Sequence, residues 1–309
     1  MNETKTVYIS FPLNEQQKKR FESISERYHI VYEDDPDADI VLGYPSVTKL
    51  KNYRHLKWLQ SQSVGVDRFI AKGVLNEDTI LTNAVDIHTK EVAEHLLATL
   101  LMMIKNLHIY RDYQHRHLWK DAGKTKELGK LRVTILGLGH IGRHLARLLK
   151  TLGVYVIGVK RDISEIPDCV DELYSNTEME KAISDSDAVI SILPGNKENE
   201  GLFTVDTFRK MRKDCIFINA GRGNLYSEET LKTVLNEKII AAVAADVFEK
   251  EPLDENSELW DQKDLFITPH AAGGYHLDSA FEDLLDLCED NLRRYANGEP
   301  LRNIVSERE

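Results

Sequence analysis

The chain has 309 residues, a length that allows about two domains at roughly 150 residues each. Its composition is 42% hydrophobic and 29% charged, which supplies packed cores and excludes a disordered chain. Forty basic against 51 acidic side chains give a formal net charge of −11, which argues against nucleic acid or a membrane surface as partner, since both are polyanionic.

The start, MNETKTVYIS, has no basic segment leading into an apolar stretch, and the apolar run 96–104 is too short to span a bilayer. Cys169, Cys215 and Cys288 are scattered without paired spacing. They read as reduced residues rather than a disulfide framework or a zinc site, so a cytoplasmic location is expected.

In chain order, short β-branched runs alternate with segments of helical period. The first series is TVYIS (6–10), HIVYE (29–33), DIVLGY (39–44), LKWLQS (56–61) and TILTN (79–83). The second is RVTILG (132–137), VYVIGV (154–159), AVISIL (188–193), CIFIN (215–219), IIAAVAA (239–245) and LFITP (265–269). Strands that are apolar at nearly every position and separated by helices are what parallel sheets covered on both faces require. Two α/β domains are therefore expected. Between the series, Val92, Leu96, Leu100, Met103, Ile104 and Leu107 sit at helical spacing and predict one long helix over 89–108. Its stripe is wide enough to need more than one covering partner, as an inter-domain helix or in a dimer interface. A second helix is expected over 275–295, ended by Gly298 and Pro300. With no strand after it, it is expected to return to the first domain.

Directly after RVTIL comes Gly137-Leu138-Gly139-His140-Ile141-Gly142, then a helical segment and the strand VYVIGV. Set between strand and helix, G-x-G-x-x-G is a dinucleotide-binding pattern. The first glycine permits the turn, the second lets backbone approach a pyrophosphate, and the third lets helix and strand pack closely. The diphosphate then sits on the helix N-terminus. An NAD site places an acid about 20 residues further on, for the ribose hydroxyls. Here the strand ends in Lys160-Arg161, a pair suited to a 2′-phosphate, so NADP(H) is favoured and NAD(H) is possible if Asp162 takes the acidic role. The net acidity is also uneven, with seven basic and no acidic residues over 130–161 against eight acidic and two basic over 246–264.

Three further segments follow strands of the second series, where open α/β sheets bind ligands. In Asn219-Ala220-Gly221-Arg222-Gly223, an arginine between glycines can grip a carboxylate bidentately. In the segment after LFIT, His270 lies among small residues and is a candidate general acid. Glu251 or Asp246, from the third segment, is its candidate carboxylate partner. His108, His115 and His117 lie on a polar stretch and read as a helix end, not a metal cluster, so no metal site is expected.

The set GLGHIG, LPGNKENEGLF, NAGRG, DVFEKEPL and TPHAAGG, with SVGVD (63–67) and EVAEHLLATLLMM (91–103) upstream, resembles the D-isomer-specific 2-hydroxyacid dehydrogenase family over nearly the whole chain. The resemblance implies an α/β fold of two Rossmann/flavodoxin-like domains with parallel sheets. A cofactor domain over 101–274 would be inserted into a discontinuous substrate domain of 1–100 plus 275–309, with a cleft between them. It also implies roles. Arg222 would bind the substrate carboxylate and polarise the 2-keto oxygen, His270 would protonate that oxygen, and Glu251 would hydrogen-bond His270 and favour its protonated form. Backbone groups of Val64 and Gly65 would help hold the carboxylate. Leu193, Pro194, Ala220, Gly221 and Gly273 would line the cofactor site, with Asp246 near the nicotinamide. A homodimer through the cofactor domain and the long helix is implied.

In family members acting on phosphoglycerate, a basic residue commonly lies a few positions before the glycine of the SVGVD-like loop, where this chain has Ser61. An NADPH-dependent reductase of an unphosphorylated 2-keto acid (glyoxylate, hydroxypyruvate, pyruvate or a branched analogue) is therefore the leading expectation. The alternatives are a phosphoglycerate dehydrogenase-type enzyme and a non-enzymatic, dinucleotide-sensing protein resembling the family's corepressors.

Overall fold

The computed structural model describes residues 4–24 and 26–305. The chain divides into two compact units, residues 1–88 with 275–309, and residues 89–274. The division falls at 88/89 rather than at residue 100, because the whole helix Thr89–Ile104 packs into the second unit's core.

The first unit is built on five parallel strands, β1 (Lys5–Ile9), β2 (Tyr28–Val31), β3 (Ile40–Gly43), β4 (Trp58–Ser61) and β5 (Ile80–Thr82), in the order β2-β1-β3-β4-β5. That is the flavodoxin-like, doubly wound order. β3 and β4 are buried at every position, which is why they read as continuous apolar runs. The terminal helix starts at Asp278, three residues later than its periodicity predicts, and ends at Gly298 with φ 70°, the left-handed cap that glycine adopts without penalty. Its Leu284, Leu285, Cys288 and Leu292 share a core with Val7, Ile9, Ile40 and Trp58.

At the C-terminal ends of β4 and β5 a buried polar network sets the register. Gln60 is fully buried; its amide donates to Ser61 O and Asn83 O and accepts from Thr82 Oγ1 (2.8 Å) and Asn291 Nδ2 (2.9 Å). With both ends of the amide paired, the network avoids the desolvation cost of an orphaned polar group and ties two strand ends to the terminal helix.

The second unit holds seven parallel strands: β6 (Arg132–Leu136), β7 (Tyr155–Lys160), β8 (Glu172–Ser175), β9 (Ala188–Ser191), β10 (Ile216–Asn219), β11 (Ala242–Ala245) and β12 (Leu265–Ile267). Their order, β12-β11-β10-β9-β6-β7-β8, reverses winding between β6 and β9, the switch point where such sheets open a crevice beyond the strand ends. The expected two-domain α/β architecture with parallel sheets is what the chain forms.

The segment expected as one helix over 89–108 is two, Thr89–Ile104 and Leu107–His115, bent by 69°. Asn106 stands between them at φ 56°, a left-handed conformation that asparagine tolerates better than most residues. Leu96, Leu100, Met103 and Ile104 are buried in one core with Leu145 and Leu149 of the helix His140–Thr151 and with Val133 of β6. The wide stripe is thus covered inside its own unit. Exposed apolar surface gathers instead on the segment that follows, at Leu107, Leu118 and Trp119. Among the described residues no single helix is long and apolar enough to cross a membrane, and the three cysteines are free and buried.

Candidate active site

β6 runs straight into the glycine turn. Gly137 has φ +99°, and a Cβ there would lie 3.0 Å from Ile192 O, so the turns after β6 and β9 approach backbone to backbone at the switch point. A Cβ on Gly142 would stand 2.1 Å from Gly137 O, which shows why the helix His140–Thr151 can begin so close to the strand. A Cβ on Gly139 would meet nothing within 4 Å. This middle glycine is exposed and faces open space, and no side chain caps the helix it precedes. A bare glycine edge at an uncapped helix N-terminus is the cradle a pyrophosphate requires, so the residues present fit a dinucleotide. His140 is exposed beside it and Ile141 half-buried.

β7 delivers Lys160 and Arg161 at its end. Among the described residues neither side chain makes a hydrogen bond or salt bridge. Asp162 is engaged locally: Ser164 N–H donates to its Oδ1 at 2.9 Å. Chiefly through that bond, its carboxyl lies below the ordinary carboxylate range.

The other three candidate loops leave neighbouring strands β10, β11 and β12, whose pairing sets Asn219 beside Ala245 and Ala245 beside Ile267. Gly221 lies against the chain after β9, where a Cβ would sit 2.5 Å from Leu193 O. Asn219 Oδ1 accepts from Gly221 N at 3.0 Å, and its Nδ2 donates to Arg222 O at 3.1 Å. These bonds fix the backbone on both sides of the half-buried Arg222, whose Nη1 also donates to Gly221 O at 2.8 Å. A Cβ on Gly223 would fall 1.9 Å from the Phe248 carbonyl, so the arginine loop rests directly on the loop carrying Glu251.

Glu251 Oε1 accepts from Phe248 N at 3.0 Å, and its Oε2 lies 2.7 Å from His270 Nδ1. The histidine side chain is 48% exposed, and its Nε2 has no partner among the described residues. Of the two candidate partners, the structure brings Glu251 and not Asp246 to the imidazole. Asp246, 4% exposed, accepts from Thr268 Oγ1 (2.5 Å), Ala271 N (2.8 Å) and Ala272 N (3.1 Å), while its backbone carbonyl accepts from His270 N at 2.8 Å. It clamps the loop that presents His270. Ala220 and Gly273 are half-buried at the same strand ends, and Pro194 is exposed.

In the first unit, Val64 and Gly65 lie on the turn between β4 and the short helix Asp67–Ile70. Val64 O accepts from Asn83 Nδ2 at 3.1 Å and Ser63 O from Ala84 N at 3.1 Å. Ser61 is fully buried, with its hydroxyl bonded to Ser63.

Sequence reasoning missed a cavity of about 200 Å³ in the second unit, lined by Leu136, Val159, Asn176, Thr177, Leu193 and Asn199 among others. Asn176 and Thr177 follow β8, the strand the apolar pattern did not reveal. Burial moves the His108 imidazole below its ordinary value, and among the described residues no group of three or more His, Cys, Asp or Glu could hold a metal ion.

A family model described as D-isomer specific 2-hydroxyacid dehydrogenase, NAD binding domain, matches residues 97–272. A crystal structure of a D-isomer specific 2-hydroxyacid dehydrogenase family protein from Aeromonas salmonicida is 28% identical, with TM-score 0.87 over 98% of this chain and 99% of that one. A probable 2-hydroxyacid dehydrogenase from Rhizobium etli, solved with NADP, HEPES and L(+)-tartaric acid, is 26% identical, with TM-score 0.79 over 98% of each chain. A glyoxylate reductase of Thermococcus kodakarensis is 27% identical over 284 residues, 87% of this chain and 80% of that protein. With the glycine cradle and the strand-end loops in place and the family model matching more than half of its length, the chain belongs to the D-isomer-specific 2-hydroxyacid dehydrogenases, NAD(P)-dependent enzymes that reduce 2-keto acids to 2-hydroxy acids.

Proposed function

We propose that the chain is an NADPH-preferring reductase of a small, unphosphorylated 2-keto acid such as glyoxylate, hydroxypyruvate, pyruvate or a branched analogue. The observation that carries the reading is the 2.7 Å contact between His270 Nδ1 and Glu251 Oε2. An imidazole whose Nδ1–H is held by a carboxylate is fixed in tautomer and orientation, and its second nitrogen can carry a proton to a substrate oxygen. Arg222, on the neighbouring loop, is assigned to grip the substrate carboxylate and polarise the keto oxygen, and the amides of Val64 and Gly65 are assigned to substrate binding in the first unit. Reduction builds negative charge on the keto oxygen, so a cation and an acid aimed there stabilise the transition state more than the ground state. When bound, the nicotinamide supplies the hydride that reaches C2. His270 gives its Nε2 proton to the former carbonyl oxygen, and in the oxidative direction takes it back.

Preference for NADPH is supported by two cations at the end of β7 whose side chains make no hydrogen bond or salt bridge among the described residues and by the engagement of Asp162 with Ser164. The cavity beside Asn176 and Thr177 suits the adenine. An unphosphorylated substrate is supported by Ser61, which is buried and carries no charge to offer a phosphate. The exposed Leu107, Leu118 and Trp119 support a homodimer through that segment, which light scattering on the purified protein would measure.

The test is oxidation of NADPH or NADH with a panel of these acids, followed by absorbance of the reduced cofactor. The reading requires turnover of at least one acid and a higher kcat/KM with NADPH. Turnover of phosphorylated keto acids alone would assign a phosphoglycerate-type enzyme. Tight dinucleotide binding with no turnover of any acid would assign the sensor.

A further inference from the structure

We propose that Tyr275 is a positioning residue for the substrate loop, its hydroxyl holding the Gln62–Ser63 peptide that leads into the two planes carrying the Val64 and Gly65 amides; this rests on reading those amides as a carboxylate site. The carbonyls of three consecutive residues are drawn back. Gln62 O accepts from Tyr275 OH, Ser63 O from Ala84 N–H and Val64 O from Asn83 Nδ2. In a trans peptide the C=O and the following N–H point in opposite directions. Tying Ser63 O and Val64 O inward therefore turns the N–H groups of Val64 and Gly65 outward, where neither has a partner among the described residues. Successive outward amides form an anion-binding concavity.

Two of the three anchors, Asn83 and Ala84, come from the chain just after β5. The third is supplied by a distant part of the sequence. The Tyr275 hydroxyl holds Gln62 O while Ser63 N–H donates to Ser61 Oγ at 3.1 Å, so the two ends of the peptide plane that leads into the outward amides are both held. Tyr275 sits at φ 62°, a left-handed conformation uncommon for an aromatic residue and kept only where the surroundings determine it. Its ring is wedged edge-on between His88 (centroids 4.5 Å) and Phe281 (5.8 Å), and Phe281 packs in turn on Phe11 at 5.8 Å. The wedge and the strained backbone together deliver one hydroxyl to one carbonyl.

Tyr275→Phe keeps the ring and its packing and removes the hydroxyl. Loss of one neutral hydrogen bond corresponds to roughly a three- to tenfold weakening. The KM for the acid best reduced by the wild type is expected to rise by that factor, with kcat and the NADPH Kd within about twofold, the pattern of lost uniform binding. Hydrogen exchange of the Ala84 amide, which donates to Ser63 O, is expected to quicken without any substrate present. An unchanged KM, or a fall in kcat at unchanged KM, would overturn the proposal, and so would unchanged Ala84 exchange. A wild type that reduces no acid would refute the proposed function instead, and the Ala84 exchange would still decide whether Tyr275 holds the loop.

Discussion

Replacing Asp246 by asparagine tests whether the His270 loop is held by a buried carboxylate. All three partners of the side chain are donors: Thr268 Oγ1, Ala271 N and Ala272 N. Asparagine keeps the shape and can serve Thr268 and Ala271 through its single oxygen, but its NH2 then faces the Ala272 N–H, donor against donor. One hydrogen bond to a charged acceptor is lost, worth about 1.5–3 kcal/mol, and a buried N–H is left unpaired at a further cost of about 1 kcal/mol or more. The sum, about 2.5–4 kcal/mol, lowers Tm by roughly 5–16 °C at about 2–4 °C per kcal/mol for a unit of this size. Because His270 N also bonds Asp246 O, slackening the loop misplaces the imidazole, and kcat/KM is expected to fall at least about tenfold. Scanning calorimetry with steady-state kinetics on the same preparation measures both. A Tm within about 2 °C of wild type with unchanged kcat/KM would refute the reasoning. A raised NADPH Kd at unchanged Tm would show that the carboxylate acts on the nicotinamide rather than on the loop.

Removing the charges of Lys160 and Arg161 together by alanine is expected to raise the KM for NADPH and leave that for NADH unchanged. Loss of one charge-assisted phosphate contact, about 1.5–3 kcal/mol, corresponds to roughly 10- to 150-fold, and equal changes for both cofactors would place the 2′-phosphate elsewhere. Asp214, hydrogen-bonded by Arg212 and Lys126, has its carboxyl lowered to about 2. A carboxylate lowered on folding adds stability above its unfolded value and loses it as pH falls through the folded one. Asp214→Asn should therefore unfold more easily than wild type at neutral pH, with the gap closing as pH falls from about 4 to 2; a pH-independent gap would contradict the assignment.

Much of the fold was legible because most strands of both parallel sheets are buried on both faces and so announce themselves as apolar runs. β8 escaped because it lies at the edge of its sheet and is half-buried at every position, leaving ELYS no apolar pattern. The break at Asn106 escaped because Leu107 continues the helical spacing, and periodicity does not register one residue at positive φ. In the site, residue type and strand-end position singled out Arg222, His270 and the glycine turn. The choice between Glu251 and Asp246 as the histidine's partner was open from spacing, since both follow the same strand. Folding decided it by turning Asp246 back onto the Thr268–Ala272 backbone. The three tied carbonyls of the loop after β4 left no sequence signal, because their partners lie in the chain after β5 and at the start of the terminal segment.

His270, held by Glu251, is the proposed proton donor in reduction of a 2-keto acid. The direct measurement is kcat for His270→Ala beside the wild type, with NADPH and the best acid of the panel, together with NADPH affinity by fluorescence titration. For a proton donor, kcat is expected to fall roughly 10²- to 10⁴-fold, with the NADPH Kd within about twofold of wild type. A variant that turns over at the wild-type rate would contradict it.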